Sequence, residues 1–146
     1  MKRSNPVRCL PIHDIASTLL NYILSSLIAF HSLAGCDTTS QFSGIGRKRA
    51  WKTFTQYAHL LAGLGKARDV SSDVYNLVEL FVAQTHYVQL MKTLDRLPPT
   101  KEALTQHVGR VNYQSQVRHS SLECNSQLPL PHACSWKLKT TSTFHS

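Results

Sequence analysis

Apolar residues recur every three or four positions in several segments of the chain, and glycine, proline or polar runs separate these segments. This spacing is typical of amphipathic α-helices, and no tight turn between alternating segments predicts a β-hairpin. The pattern therefore predicts an all-α fold of four to five short helices. The first expected helix, 13–20, either continues into or breaks briefly before a second segment ending near 34. The others are 46–57, a short turn at 59–64, one from 71 or 72 to 90 or beyond, and 100–116.

The first apolar stretch, residues 15–36, carries no formally charged residue. Lys2, Arg3 and Arg8 precede it, so a membrane span or signal anchor is one interpretation. Polar residues nevertheless recur on one side of the stretch, as they do on a helix that packs against a protein core. We expect such a core helix rather than a membrane span. Its expected apolar face is Leu20, Ile23, Leu24, Leu27 and Ile28, opposite Thr18, Asn21, Ser25 and Ser32.

The later helices have apolar stripes of their own, which we interpret as core. Trp51 is the one ambiguous member, because a tryptophan beside basic residues also suits stacking on a base. We expect 11–118 to form one helical domain, with 1–10 disordered and 119–146 a weakly ordered tail in which Pro129 and Pro131 prevent regular structure. The expected stripes are Ala50 and Phe54; Val74, Leu77, Val78, Phe81 and Val82; and Leu104, Val108 and Val111.

Charge changes this picture, because 16 basic residues against 8 acidic ones leave a net charge of +8. No acidic residue occurs between Asp37 and Asp69, where six of the cations lie. A solvated basic face is the plain interpretation. Clustering of this kind also favours contact with a nucleic-acid backbone, since neutralising phosphates requires grouped cations.

A glycine turn lies inside this basic segment. Gly44-Ile45-Gly46 leads directly into a predicted helix, and amides at a glycine turn and helix start can approach an anion closely. The predicted nucleic-acid-binding residues are Gly44, Ile45, Gly46, Arg47, Lys48, Arg49 and Lys52. Asp37, seven positions before Gly44, is a candidate metal ligand. The alternative for Asp37 is a loop role, since short acidic side chains commonly accept hydrogen bonds from loop amides.

The run from Gly35 to Ala50, Gly-Cys-Asp-x6-Gly-Ile-Gly-x-Lys-x-Ala, resembles the helix–three-turn–helix element of flap-endonuclease and XPG-type nucleases of the PIN-like superfamily. The resemblance implies that Asp37 binds Mg²⁺ and that the glycine turn and Lys48 clamp a duplex backbone. The region is also similar to mobile-element-like animal proteins. Thr38 stands where the nucleases have tyrosine, and Asp14 is the one acidic residue upstream, whereas two-metal chemistry requires several carboxylates.

These observations predict a truncated, inactive nuclease-like domain that binds duplex DNA without reading its sequence. Two alternatives stay open: a Mg²⁺-dependent nuclease piece of a larger protein with a missing upstream domain, and a non-catalytic helical interaction module. The four cysteines contain no Cys-x-x-Cys pair, which favours a reducing intracellular compartment. Within the cell we expect a nuclear location. Cys9 with His13 and His132 with Cys134 are loose pairs, and a zinc site from them is a weaker alternative.

Overall fold

The computed structural model describes residues 9–90, 98–121, 123–124 and 127–136, with side chains left out at 87–90. Within these residues the chain is all-α, as the sequence predicts, and no strand occurs. The sequence expectations for 1–8 and 137–146 lie outside the described residues. The helices are α1 (Ile12–Thr18), α2 (Asn21–Leu33), α3 (Arg47–Tyr57), α4 (Ser72–Leu90) and α5 (Lys101–His119), with 3₁₀ turns at Ala58–Leu61 and Pro131–Cys134.

The core lies where α2 packs against α5 and against the first 3₁₀ turn, with α3 and α4 closing the other sides. Phe54 is fully buried, and its ring stacks on Phe30 with centroids 4.2 Å apart. The predicted stripes of α3 and α5 are confirmed, because Ala50, Phe54, Leu104, Val108 and Val111 are all buried. On α4, Val78, Phe81 and Val82 are buried, whereas Leu77 remains 40% exposed.

The buried face of α2 differs from the predicted one. Leu20 and Leu24 are 57% and 36% exposed, whereas Ser32, expected on the polar side, is fully buried. The buried residues are Ile23, Ser26, Ala29, Phe30, Ser32 and Leu33, and the small ones among them allow a neighbouring helix to approach closely. The prediction of the apolar face was right for Ile23 and Leu27 and wrong for Leu20, Leu24 and Ser32, because it followed the largest side chains rather than the best-fitting ones.

Helix ends follow the local signals in the sequence. Gly35 ends α2 with φ 98°, and a Cβ there would lie 2.7 Å from the backbone of Gln41, so only glycine fits. Thr100 caps α5, since its hydroxyl accepts a hydrogen bond from the amide of Ala103 at 3.3 Å. Ser71 caps α4 in the same way through the amide of Val74.

The segment between the first 3₁₀ turn and α4 is tied to α5 by one buried amide side chain. Asn112 accepts a hydrogen bond from the amide of Gly65 at 2.7 Å and donates to the carbonyl of Ala67 at 3.1 Å. Gln116, one turn further along α5, also donates to that carbonyl, at 2.7 Å. This connection therefore has a fixed position on the helix although it contains little regular structure.

A 3₁₀ turn forms at Pro131–Cys134 and packs against α5. The expectation that Pro129 and Pro131 prevent regular structure is wrong at this turn, because Pro131 occupies its first position. Proline is well suited to that position, where its missing N–H is not required.

The N-terminal arm, residues 10–24, leaves much apolar surface uncovered. No residue of α1 is buried. Among the described residues no single helix has the length and apolar character to cross a membrane; α1 and α2 together do, but they are bent by 116°. The large exposed apolar residues of the arm are Leu10, Ile12, Ile15, Leu20, Tyr22 and Leu24.

Candidate nucleic-acid interface

The glycine turn is a compact bend whose ends are held by hydrogen bonds. The amide of Ile45 donates to the carbonyl of Phe42 at 3.3 Å, and Gly44 adopts φ 71°, which glycine tolerates without a steric penalty. Gln41 spans the bend and donates to the carbonyl of Ile45 at 2.7 Å. The side chain of Ile45 is only 3% exposed, so it anchors the bend in the core while Gly44 and Gly46 stay at the surface.

Gly46 is the N-cap of α3, and no side chain caps this end of the helix. Its carbonyl accepts the first helical hydrogen bonds, from the amides of Arg49 at 3.0 Å and Ala50 at 3.1 Å. A Cβ built on Gly46 would meet nothing within 4 Å. The first turn of α3 therefore opens to solvent with the positive end of the helix dipole.

Four cations surround this helix start, and we call them with Gly46 the cationic face: Arg47, Lys48, Arg49 and Lys52. All four are exposed, whereas Ala50, Thr53 and Phe54 on the other side of α3 are buried. The first turn contains no acidic residue. The seven residues predicted to bind nucleic acid adjoin one another here. Ile45 is the exception in exposure, because the residue is buried and both of its backbone groups are hydrogen bonded within the bend, so it supports the turn and does not face solvent.

Trp51 is held at the edge of the core. Its ring lies 5.8 Å from that of Phe30 and 5.5 Å from that of Phe54, measured between centroids, and the residue is 38% exposed. It supports α3 on α2 and leaves one edge at the surface.

Asp37 lies beside a cation rather than beside other acids. Its Oδ1 is 3.4 Å from Nη2 of Arg118, and its side chain is 83% exposed. Among the described residues, no three histidine, cysteine or acidic side chains come together to hold a metal ion. Two-metal phosphodiester chemistry requires a converging set of carboxylates, so the described residues do not fit the magnesium site that the resemblance implies.

Sequence reasoning did not identify Arg118, which reaches the loop after α2 from the C-terminal end of α5. Its Nη1 donates to the hydroxyl of Ser32 at 2.9 Å. The guanidinium is also one of the neighbours that lower the pKa of the Cys36 thiol. No local signal could have revealed this position, because the contact joins residues far apart in the chain. We call Arg118, Asp37 and His31 the Arg118 corner.

The thiol of Cys36 lies beside this corner and has a lowered pKa. Partial burial raises its pKa, but its polar contacts with Thr38, Thr39 and Arg118 outweigh burial and lower the pKa to about 7. The hydroxyls of Thr38 and Thr39 lie 3.2 and 3.0 Å from the sulfur. Thr39 is itself held by a 2.6 Å hydrogen bond to the carbonyl of Ser32, so the loop has a defined position.

His31 is the member of the Arg118 corner that also experiences the cationic face. Burial lowers its pKa, and the charges of Arg118 and Arg47 lower it further, while Asp37 acts in the opposite direction. The ring therefore experiences cations from both α5 and α3. The two helices that carry these cations, α3 and α5, both pack against α2, on which His31 lies.

Comparison of the chain with protein-family models, with curated proteins and with solved structures finds no match.

Proposed function

We propose that this protein binds the phosphate backbone of duplex DNA through the cationic face. The observation that carries the proposal is the uncapped start of α3 at Gly46, open to solvent and surrounded by four exposed cations. A helix start of this kind attracts an oxyanion by its free amides and by its dipole. The cations after it add the charge that neutralises neighbouring phosphates.

The rigidity of the turn supports the same proposal. Ile45 is packed in the core and Gln41 bridges the bend, so Gly46 is held in place before any ligand arrives. A preorganised site loses less entropy on binding than a mobile loop does. Contacts of this type grip the sugar–phosphate backbone and carry no direct information about the base sequence.

The proposal is limited to binding. The carboxylate of Asp37 lies beside Arg118, and the described acidic residues do not converge on it. We therefore propose no cleavage step for this chain.

Changing Lys48 and Lys52 to glutamate tests the proposal. Binding of a short fluorescein-labelled duplex, measured by anisotropy at about 50 and 200 mM salt, should weaken, and the slope of log K against log salt should fall by about 0.9 for each lost phosphate contact. Both side chains are exposed, so the fold should survive the change.

Lys101→Glu is the matched control for each single variant, because it makes the same change of charge at the exposed N-terminal end of α5. It should leave the salt slope unaltered. If Lys48→Glu and Lys101→Glu weaken binding equally, the duplex is attracted by the net charge of the protein and not by the cationic face. An unchanged salt slope in the Lys48→Glu, Lys52→Glu double variant would contradict the proposal.

The N-terminal arm favours a second function, association with another protein. Ile12 and Ile15 are 71% and 48% exposed on a helix without a buried residue. Exposed apolar patches commonly mark interaction surfaces. Association between copies of this chain can be measured directly on a sizing column, where the protein should elute above its monomer mass. The double variant Ile12→Asp, Ile15→Asp should elute as a monomer. A monomer in both cases argues against self-association.

A further inference from the structure

Arg118 is unusual among the exposed and half-exposed cations because its guanidinium is already oriented. It is 25% exposed, and Nη1 is fixed by the 2.9 Å hydrogen bond to Ser32, whose hydroxyl oxygen is buried in α2. The other nitrogen, Nη2, lies 3.4 Å from the exposed carboxylate of Asp37, and the thiol of Cys36 is a second neighbour of the guanidinium. Nη1 therefore contacts a buried residue of α2, while Nη2 contacts an exposed carboxylate.

The pair with Asp37 is a weak one. Its 3.4 Å separation is long for a charge-assisted hydrogen bond, and the Asp37 side chain is 83% exposed. Ion pairs that water reaches on one side contribute little net stability. A ligand with more negative charge and more acceptor oxygens than a carboxylate would therefore displace Asp37 from Nη2 at small cost.

We propose that Arg118 is a second phosphate contact of the same DNA-binding surface, and that Asp37 occupies it in the free protein as a built-in competitor. The inference rests on the proposed function. It extends the surface from the start of α3 across His31 to the C-terminal end of α5. Asp37 then has an electrostatic role. In the free protein its carboxylate contacts Arg118 where a DNA phosphate would bind, so it weakens DNA binding until a phosphate displaces it.

The chemistry of the guanidinium suits this role. Arginine presents planar N–H donors that match two oxygens of a phosphate, and its charge is retained at every accessible pH. The buried hydrogen bond to Ser32 reduces the rotamer entropy that a free surface arginine would lose on binding. The link to the cationic face is α2, because both α3 and α5 pack against it, and its exposed His31 experiences the charges of both Arg47 and Arg118.

Two single variants test the inference with the same fluorescein-labelled duplex. Asp37→Asn removes the competitor and should raise affinity by about two- to fivefold, the range that an exposed pair contributes. Arg118→Gln should lower the slope of log K against log salt by about 0.9, the value for one phosphate contact. Arg118→Lys, which keeps the charge, should retain most of that slope.

The double variant separates a direct contact from general electrostatics. If Asp37 acts by occupying Arg118, Asp37→Asn should no longer raise affinity once Arg118 is glutamine. Lys101→Gln is the matched control for charge, because it lies at the far end of α5, about 25 Å away at 1.5 Å per residue. Helical circular dichroism and urea unfolding of each variant check that loss of the hydrogen bond to Ser32 has not altered the fold.

The outcomes distinguish the two proposals. Loss of binding on changing Lys48 and Lys52, combined with an unchanged slope in Arg118→Gln, would overturn the inference and leave the proposed function standing. An equal gain from Asp37→Asn with and without Arg118 would also overturn it, because Asp37 would then act only as a distant negative charge. No effect of Lys48 or Lys52 would remove the proposed function itself.

Discussion

At the scale of single residues, the two glycines of the turn serve different purposes. Gly44 has φ 71° and is required by the bend, whereas Gly46 has φ −72° and open space where a Cβ would be. The fold therefore does not require glycine at 46. Because Gly46 has no side chain, the start of α3 is left without a side-chain cap. The proposed DNA binding depends on this uncapped helix start.

Gly46→Asp separates folding from binding at this position. Aspartate is a favourable N-cap, so stability should stay within about a few tenths of a kcal/mol of the original or rise slightly. Its carboxylate would occupy the free amides and repel phosphate, so the salt slope of duplex binding should fall by about one unit. Urea unfolding and anisotropy measure the two effects.

Gly46→Ala is the control for that variant, since it adds a Cβ without charge or capping oxygen. It should reduce duplex binding much less than aspartate does. Equal binding by the aspartate variant and the original protein would show that the start of α3 does not contact the ligand.

The lowered pKa of Cys36 gives a second prediction at this scale. Because the thiolate is the reactive form, alkylation of Cys36 by iodoacetamide should accelerate as pH rises through about 7 and then level off. Burial raises the pKa of Cys134, so it should react more slowly at neutral pH. Peptide mass spectrometry resolves the cysteines, and Arg118→Gln should move the Cys36 profile to higher pH. A Cys36 profile identical to that of Cys134 would contradict this account.

At the scale of elements, one histidine joins α5 to the end of α2. The Nε2 of His107 lies 3.1 Å from the carbonyl of Leu33, to which the neutral ring donates its N–H. Burial lowers the pKa of His107, and Arg110 lowers it further, while the hydrogen bond to Leu33 opposes them. The folded protein therefore disfavours the protonated ring relative to the unfolded chain.

The sign of the pH dependence follows from that direction. A folded-state pKa below the unfolded value of 6.5 means that proton uptake favours unfolding, so stability is complete above about pH 6.5 and declines as the pH falls below it. His31 contributes in the same direction. Urea unfolding should show a lower free energy of unfolding at about pH 5.5 than at about pH 7.5.

His107→Gln is the control variant for the hydrogen bond between His107 and the carbonyl of Leu33. Glutamine retains an N–H donor for the carbonyl of Leu33 and cannot titrate. The difference in stability between the two pH values should therefore shrink, leaving the part due to other groups. If the difference in free energy of unfolding between the two pH values is as large in His107→Gln as in the original protein, groups other than His107 cause the pH dependence.

At the scale of the whole molecule, one core supports every part of the surface described above. Phe54 is fully buried on the inner side of α3, so it holds the cationic face on α2 through its stacking with Phe30. Arg118 lies on α5, which packs against α2 as well. The two groups of cations thus share α2 as a common support.

Phe54→Ala should destabilise the whole protein by about 3–5 kcal/mol, the usual cost of truncating a buried phenylalanine. Leu77→Ala is the matched control, because Leu77 is 40% exposed and should cost far less. Urea unfolding compares them. Similar small losses in both variants would mean that α3 is not integrated into the core.

The helices and their ends could be predicted from the chain because the relevant signals are local. Thr100 caps α5 and Gly35 ends α2 through interactions within a few residues, so the sequence alone reveals them. The face of α2 could not be predicted in the same way. Ser32 is buried because a neighbouring helix and Arg118 meet it there, and hydrophobicity does not encode that partner.

The sequence by itself determined an all-α chain, the places where its helices stop, and a glycine turn at the head of a basic segment. Only the tertiary structure decided which cations share a surface and what Asp37 contacts. The reason is physical: helix formation, capping and turns depend on neighbours along the chain. The pairing of Arg118 with Asp37 instead depends on how α5 packs against α2, which is set by the fit of side chains from distant segments.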